Sequence, residues 1–404
     1  MMNGMDTFLV FPAMLITLVF LNRYIVGSLL RWHSPISKPS IPKKFNDDSP
    51  EVTVIIPLYN EGKSIFDTLV ALSAQDYPHK RLSIVVVDDC STDDSHEWAE
   101  RAAQLDPRIT VHRNVRNVGK RIGIARAVAG TKSEFIVSVD SDVYVYPDAI
   151  RLLITNFESE KMAAVGGCVY IGNPHVNWLT KMQAIKYFFG YQFLKNIESN
   201  FDQVLCLSGC LTAYRREVLI ELEPILMNRN LFGIPIKYGE DRFLTRQIVK
   251  AGYQTKLSPN AVCTTKAMTT LKSYFAQQLR WRRSNVVDFL GGLTHAFGYN
   301  PVVGIHYMTL NVLLILYPFI LWYQAFMGEL WSSLPLHLGV LGIFAVVYEV
   351  ASRRLPRNLR VHPVHFLWMA VIMPVTYMVL SILAMFTLDS GSWETRNHHI
   401  AKSS

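Results

Sequence analysis

No Asp, Glu, Lys or Arg occurs in residues 289–328, 330–348 or 361–388. Charge-free stretches of that length do not make the surface of a soluble domain, and a membrane-spanning helix takes about 20 apolar residues. The first and third stretches are expected to be membrane helices. The second carries Ser332, Ser333, Pro335 and His337 and reads as a span or a re-entrant piece. Glycine signatures for phosphate are missing too. No G-x-G-x-x-G follows the first apolar strand and no G-x-x-x-x-G-K-[ST] occurs anywhere, which removes the main support for a dinucleotide or P-loop protein. Cysteine is scarce: Cys90, Cys168, Cys206, Cys210 and Cys263 show no metal-type pairing and an odd total. Free thiols in a reducing compartment are expected. There is no internal repeat and no low-complexity tract.

What is present is unevenly distributed. Half of the 404 residues are hydrophobic, and they concentrate at the two ends. Residues 7–30 read as a further apolar helix, broken only by Asn22 and Arg23. No basic residue precedes it and no small-residue cleavage site follows it, so an anchor fits better than a signal peptide. Residues 32–50 hold four Pro and few large apolar side chains, the composition of an extended tether. Arg31, Lys38, Lys43 and Lys44 follow the first helix, which places them, and the domain after them, in the cytoplasm. The net charge of +8 gathers beside the apolar segments. Anionic membrane lipid, and not nucleic acid, is its expected partner.

Residues 51–273 have the pattern of an α/β domain large enough for its own core. A β-branched run, 52–56, ends at Pro57; a helix over 64–74 follows, then a second strand ending in carboxylates, and a third, in "SEFIVSV", ending in Asp140-Ser141-Asp142. Strand, helix and strand with polar residues at the carboxyl ends predict an open, mostly parallel sheet, helices on both faces, with a nucleotide at that edge.

Asp140 and Asp142 can reach one point in a loop, which suits a hard divalent cation completed by phosphate oxygens; a solvated turn is the plain alternative. Asp88 and Asp89 can accept from a base or a ribose, or cap the helix beyond Ser91. Lys120 and Arg121 open a helix where a diphosphate can sit, or form a basic turn. In "GEDRFLT", Glu240 and Asp241 supply a general base or merely favourable charge at a helix start. Tyr274, Gln277, Gln278 and Trp281 recur at i, i+3, i+4 and i+7, one stripe of a helix. Gln277, Arg280 and Trp281 also share a face, and Gln and Arg make poor core. An amide and a guanidinium can hold a pyrophosphate, and an indole can stack under a sugar.

The motifs "IIPLYNE", "VVVDDCSTDDS", "VDSD", "GEDR" and "QQLRW", in this order, resemble the processive family 2 inverting glycosyltransferases of GT-A fold. "CLSGCLTAYRREV", "FGIPIKYGEDRFLT", "LKSYFAQQLRW" and the tail "SWETR" are similar to bacterial hyaluronan synthases, with chitin-oligosaccharide synthases as a sister group. The resemblance implies a multi-pass plasma-membrane enzyme that transfers sugars from UDP-GlcNAc and UDP-GlcA to a growing polysaccharide and secretes it. The alternatives are a chitin-type enzyme using UDP-GlcNAc alone, a non-processive transferase to lipid, and a transport or scaffold protein with a degenerate domain. By the same resemblance Pro57, Tyr59, Glu61 and Asp88 or Asp89 hold the uridine, with Lys120 near it. Asp142 with Asp140 binds Mg²⁺ or Mn²⁺. Asp241, beside Glu240, is the base. Gln277 and Arg280 grip the diphosphate, and Trp281, Ser208, Gly209 and Cys210 meet the acceptor. Arg396 closes over the site. Three positions depart from the pattern: Cys90 and Cys210 replace a usual Gly and Pro, and Glu394 replaces a Gly of the tail. The expected layout is a helix in 1–31, the tether, a GT-A domain in 51–273, an interfacial helix in 274–298, membrane or re-entrant helices in 299–388, and the tail 389–404. For the tail to meet the site, one apolar stretch must be re-entrant or interfacial, and 330–348 is the expected one.

Overall fold

A computed structural model describes residues 45–388 other than 237 and 329. The N-terminal apolar helix, most of the tether, and the tail with Trp393 and Arg396 lie outside the described residues.

The domain begins with β1 (Val52–Leu58) and α1 (Ser64–Ser73), then β2 (Leu82–Asp88), α2 (Ser95–Leu105), β3 (Ile109–Arg113) and α3 (Lys120–Gly130). It continues through β4 (Phe135–Ser138), β5 (Tyr144–Val145), α4 (Ala149–Thr155) and β6 (Met162–Ile171). Next come α5 (Trp178–Phe189), a π-helical turn (Gly190–Leu194), α6 (Lys195–Ser199), β7 (Thr212–Arg215) and α7 (Arg216–Met227). A short hairpin of β8 (Asn230–Leu231) and β9 (Ile234–Pro235) leads to α8 (Glu240–Lys250), β10 (Gln254–Thr265) and α9 (Leu271–Gly292).

Eight strands form one sheet in the order β3-β2-β1-β4-β7-β6-β10-β5. Strands β1 to β4 pair in parallel, as do β6 and β10, whereas β7 and β5 run against their neighbours. The expected mostly parallel sheet is therefore observed, with two reversed strands. Val52, Val54, Ile56 and Leu58 of β1 join the main core with Ile65, Leu69 and Leu72 of α1. Ile55 enters a second cluster with Val87, Val128 and Ile136. Burial on both faces explains why β1 reads as a continuous apolar run without alternation. The crossovers leave the carboxyl ends of β1, β2 and β4 on one edge, and the loops there carry the acidic motifs.

After α9 the chain forms α10 (Pro301–Phe326), α11 (Leu330–Ser352), α12 (Phe366–Val375), a π-helical turn (Thr376–Leu380) and α13 (Ser381–Met385). Helix α11 runs for 23 residues, Pro335 included, about 35 Å at the usual rise. Among the described residues one helix, Pro363–Met385, is long and apolar enough to cross a membrane, with a mean hydropathy of 2.1. Both ends of that segment rest on the α/β domain and α9. Phe366 packs edge-on to Phe189 with ring centroids 5.4 Å apart, and Trp368 lies 4.7 Å from Trp178. At the far end Tyr238 donates to the Leu388 carbonyl at 2.8 Å and Arg283 Nε to Thr387 Oγ1 at 2.9 Å.

Cys90, on the turn after β2, has φ of 64°, a left-handed conformation that L side chains adopt at a cost and glycine does not. Its thiol has one long contact, 3.8 Å to the Val115 carbonyl. Cys90→Gly is expected to stabilise the protein by about 1 kcal/mol, the relieved strain less the added chain entropy, read as a higher midpoint in thermal or denaturant unfolding.

Candidate active site

The first wall is stitched from the loops after β1 and β2. Asn60 and Gly62 both have positive φ, which turns the backbone N–H groups of residues 60–62 toward the neighbouring loop. Ser91 Oγ accepts from Asn60 N at 3.1 Å, and Ser95 Oγ accepts from Glu61 N and Gly62 N at 2.7 and 2.8 Å. Pro57 and Tyr59 stay partly exposed at this edge. Glu61 accepts from Ser141 Oγ at 3.2 Å, tying the wall to the Asp140-Ser141-Asp142 loop.

Of the two uses expected of Asp88, the structure shows the one at the turn of Ser91. It is wholly buried: Oδ1 accepts from Ser91 N at 2.9 Å, while Oδ2 lies 3.2 Å from His96 Nδ1 and 3.3 Å from Arg113 Nε. It is a strut beneath the wall. Asp89 accepts from Val118 N and Gly119 N, both at 2.8 Å, and from Asn114 Nδ2 at 3.0 Å. Its carboxylate thus shapes the loop that delivers Lys120.

Lys120, the first residue of α3, is the hub of the site. Its Nζ lies 2.6 Å from Asp140 Oδ1 and 3.5 Å from Glu240 Oε1. Burial works to lower the pKa of its ammonium, but Asp140, Glu240 and Asp241 outweigh it and hold the group well above its usual range. For Asp140 burial pushes upward, and Lys120, a bond from the Cys210 thiol and Arg280 together pull the carboxyl down. Asp142 moves the other way. Burial, then the Asp140 charge, raise it to about 6. Two carboxylates in one recess, one of them short of positive charge, are the hard oxygen donors that a divalent cation takes along with phosphate and water. Among the described residues no third acidic, His or Cys ligand joins them.

Gly209 sits between this cluster and the next. A Cβ there would lie 3.2 Å from Lys120 Nζ and 3.4 Å from Asp140 Oδ1, so glycine keeps the recess open. Its N–H points to Asp241 Oδ2 at 3.3 Å. Ser208 Oγ accepts from Cys210 N at 3.3 Å, and burial first, then Asp140, push the Cys210 thiol well up. Glu240 and Asp241 both turn to the recess, Glu240 toward Lys120 and Asp241 toward Gly209. The sequence required only one of them to do so. They begin α8 just after Gly239, whose φ is 68° and whose Cβ would fall 2.0 Å from Ser284 Oγ on α9. That contact needs glycine, and it sets the acids at a fixed height against α9.

Helix α9 presents the predicted stripe. Tyr274, Gln277 and Gln278 are buried, while Arg280 and Trp281 are partly exposed. The Gln277 amide oxygen meets no donor among the described residues. Arg280 bears electrostatically on Asp140 and on Tyr187, so it belongs to the acidic recess. Trp281 lies 6.2 Å from the Tyr187 ring. Tyr187 in turn is close enough to Asp142 and Arg280 to feel their charges, although burial is the chief cause that lifts its phenol.

The sequence reading missed Lys186, Tyr187 and Tyr191 on and after α5, and the buried cluster of Asp288 with Arg242 and Arg246. Tyr187 and Tyr191 stack at 6.2 Å, and Tyr191 bonds the Ser208 side chain. Arg246 Nε lies 2.9 Å and Arg242 3.9 Å from the Asp288 carboxylate, which joins α8 to α9. The signal for the tyrosines was the i, i+4 spacing in "KYFFGYQF", an ordinary core pattern until its neighbours are known. A groove of about 580 Å³ lined by Val70, His79, Leu105 and Arg108 opens at the amino ends of the strands and contains none of these residues.

A curled, mostly parallel sheet with an acidic pair after β4 and a second acidic pair facing it across a glycine defines a glycosyltransferase of GT-A-like fold. Residues 53–223 match the family described as glycosyl transferase family 2. It is 29% identical to a hyaluronan synthase of Streptococcus pyogenes over 88% of this chain and 85% of the relative. It is 33% identical to an N-acetylglucosaminyltransferase of Mesorhizobium japonicum over 65% of this chain and 61% of the relative. Among solved structures, a mannosyltransferase from Pyrobaculum calidifontis in complex with GDP-Man and Mn²⁺ superposes with a TM-score of 0.59 at 20% identity, covering 93% of this chain and 99% of that one. That likeness concerns the fold.

Proposed function

We propose that this glycosyltransferase is a membrane-embedded, processive polysaccharide synthase that builds a β-linked, hyaluronan-like chain from UDP-GlcNAc and UDP-GlcA. The observation that carries the reading is the convergence of Lys120, Asp140, Gly209, Glu240 and Asp241 at the foot of α9. The uridine lies against Pro57, Tyr59 and the wall that Asp89 orders. Asp142 and Asp140 would hold Mg²⁺ or Mn²⁺, which when bound supplies positive charge to the diphosphate. Arg280 and Lys120 add their own charge there and favour departure of UDP. Asp241 takes the proton of the acceptor hydroxyl as that oxygen bonds to C1 and the C1–phosphate oxygen bond breaks. One base and no protein nucleophile make a single displacement, so an α-linked donor yields a β-linked product. Trp281 and Tyr187 offer the acceptor aromatic faces.

Membrane embedding is supported by the apolar side chains that the long C-terminal helices leave uncovered. Val371, Val375, Val379, Leu383 and Phe386 make one exposed stripe, with Phe386 84% exposed, and such a surface calls for lipid or a partner. The membrane arrangement we favour differs from the expected one. Helix α11 is unbroken, while the segment from Pro363 to Leu388 begins and ends on the catalytic domain and α9. We assign the interfacial role to that segment instead of 330–348, because Leu388 lies on the catalytic side.

The relative named an N-acetylglucosaminyltransferase, and the Glu-Asp order in "GEDR", favour a second reading, a chitin-type synthase. Purified protein supplied with UDP-GlcNAc alone, UDP-GlcA alone or both separates the two. Polymer only from the pair supports the hyaluronan-like product, polymer from UDP-GlcNAc alone supports the second reading, and transfer of single sugars rejects both.

A further inference from the structure

Lys186 is a half-buried lysine that this mechanism leaves unused. It lies on α5, and its Nζ meets the stripe of α9 on the side of Trp281. It stands 2.6 Å from Gln278 Oε1, 5.7 Å from the Trp281 ring centroid and 5.9 Å from that of Tyr274. No acidic group bears on it among the described residues; the one charge that does is the guanidinium of Arg282. Burial first, and Arg282 second, pull its ammonium down to about 7. A half-buried ammonium with a single amide acceptor and two ring faces is poorly compensated. Natural proteins pair such a group or leave it for a ligand's counter-charge. The next residue, Tyr187, faces the acidic recess, so Lys186 stands just behind the surface on which an acceptor sugar would rest.

We propose that Lys186 receives the carboxylate of an acidic sugar in the acceptor chain seated on Trp281, and so sets the enzyme's preference for a uronate-containing chain over a neutral one. This rests on the assignment of Trp281 as the acceptor shelf. A neutral amino sugar offers only hydroxyls and an amide, which do not compensate the cation. A carboxylate completes it with charge-assisted bonds. The bland role, a strut from α5 to Gln278, predicts no preference between the two chains.

The test uses the purified full-length protein in detergent, loaded with UDP, and measures by calorimetry the binding of a hyaluronan tetrasaccharide and a chitin tetrasaccharide. The wild type should bind the acidic tetrasaccharide roughly ten- to a hundredfold more tightly, the range expected of one charge-assisted hydrogen bond. Lys186→Met should lose that preference while its affinity for the chitin tetrasaccharide stays within about twofold, and Lys186→Arg should retain most of it. A wild type without preference, an equal loss on both ligands, or weakened binding of UDP itself would each overturn the proposal. The wild type alone provides a second readout should a variant fail to fold. Near pH 7.5 the acidic ligand raises the pKa of Lys186, so binding takes up protons, whereas the neutral ligand draws none; equal uptake for both also overturns it. Tyr274, which also faces Lys186, is pushed up to about 12, chiefly by burial, and takes no part there. If the protein shows this preference yet forms no polymer from UDP-sugars, the synthase reading fails and the assignment of Lys186 stands.

Discussion

Asp241→Asn is expected to lower kcat for sugar transfer by about a hundred- to ten-thousandfold, the range that a positioned general base contributes, with little change in the affinity for UDP. The reason is geometric. Asp241 sits at the start of α8, where Oδ2 accepts from Gly209 N at 3.3 Å and Oδ1 from Arg242 N at 2.8 Å. An asparagine oxygen keeps one of those bonds and the shape of the recess, so the substitution removes the proton acceptor and leaves the binding surface. Glu240 cannot readily take over, because its carboxylate is directed to Lys120 at 3.5 Å. Steady-state kinetics with UDP-GlcNAc and UDP-GlcA, beside calorimetric binding of UDP, check this. A fall in kcat of less than about tenfold would assign the base elsewhere.

Asp142→Asn is expected to abolish measurable turnover while making the cation-free protein more stable, a combination that separates a site residue from a structural one. Burial and the neighbouring Asp140 raise the Asp142 carboxyl from 3.8 in the free side chain to about 6 in the fold. A native pKa above the unfolded one means that the native state binds the proton more tightly. The penalty is therefore fully present above pH 6 and fades as pH falls toward 4. At neutral pH it amounts to about 3 kcal/mol at most, given 1.36 kcal/mol for each tenfold of proton affinity. Asparagine carries no charge and escapes it. In the presence of a chelator the variant should melt higher than the wild type at pH 7.5, with the gap closing toward pH 4. With Mg²⁺ or Mn²⁺ the wild type should gain stability and the variant much less. A variant that melts lower at pH 7.5 would show that Asp142 is held by contacts other than those described here.

Much of this protein was legible in its residues. The runs of β1, β2 and β4, the helices opened by Lys120 and Glu240, and the stripe on α9 all follow local rules, since side-chain periodicity and strand-end polarity depend on a few neighbouring positions. The acidic motifs in their order indicated the reaction class through the family they resemble, and each is a short turn at the end of one strand or helix. Asp88 shows where such reasoning stops. Its sequence context is that of a ligand-binding acid, but Arg113 and His96, brought in from β3 and α2, claim its carboxylate. Lys186, Tyr187 and Asp288 were illegible because their meaning lies in partners across the fold, and a core pattern does not name its neighbours.

The residues by themselves determined that a mostly parallel nucleotide-type sheet precedes long apolar helices, and which acids stand at its carboxyl edge, because burial on both faces demands unbroken apolar strands and leaves charge to the loops. Only the tertiary structure decided that both Glu240 and Asp241 turn inward, that Gly209 lies between them and Asp140, and that the last apolar segment returns to the catalytic domain. Those outcomes depend on how α8, α9 and the C-terminal helices pack, through contacts such as Gly239 on Ser284 and Tyr238 on Leu388. Close packing of distant segments is a property of the assembled chain, which no local pattern encodes.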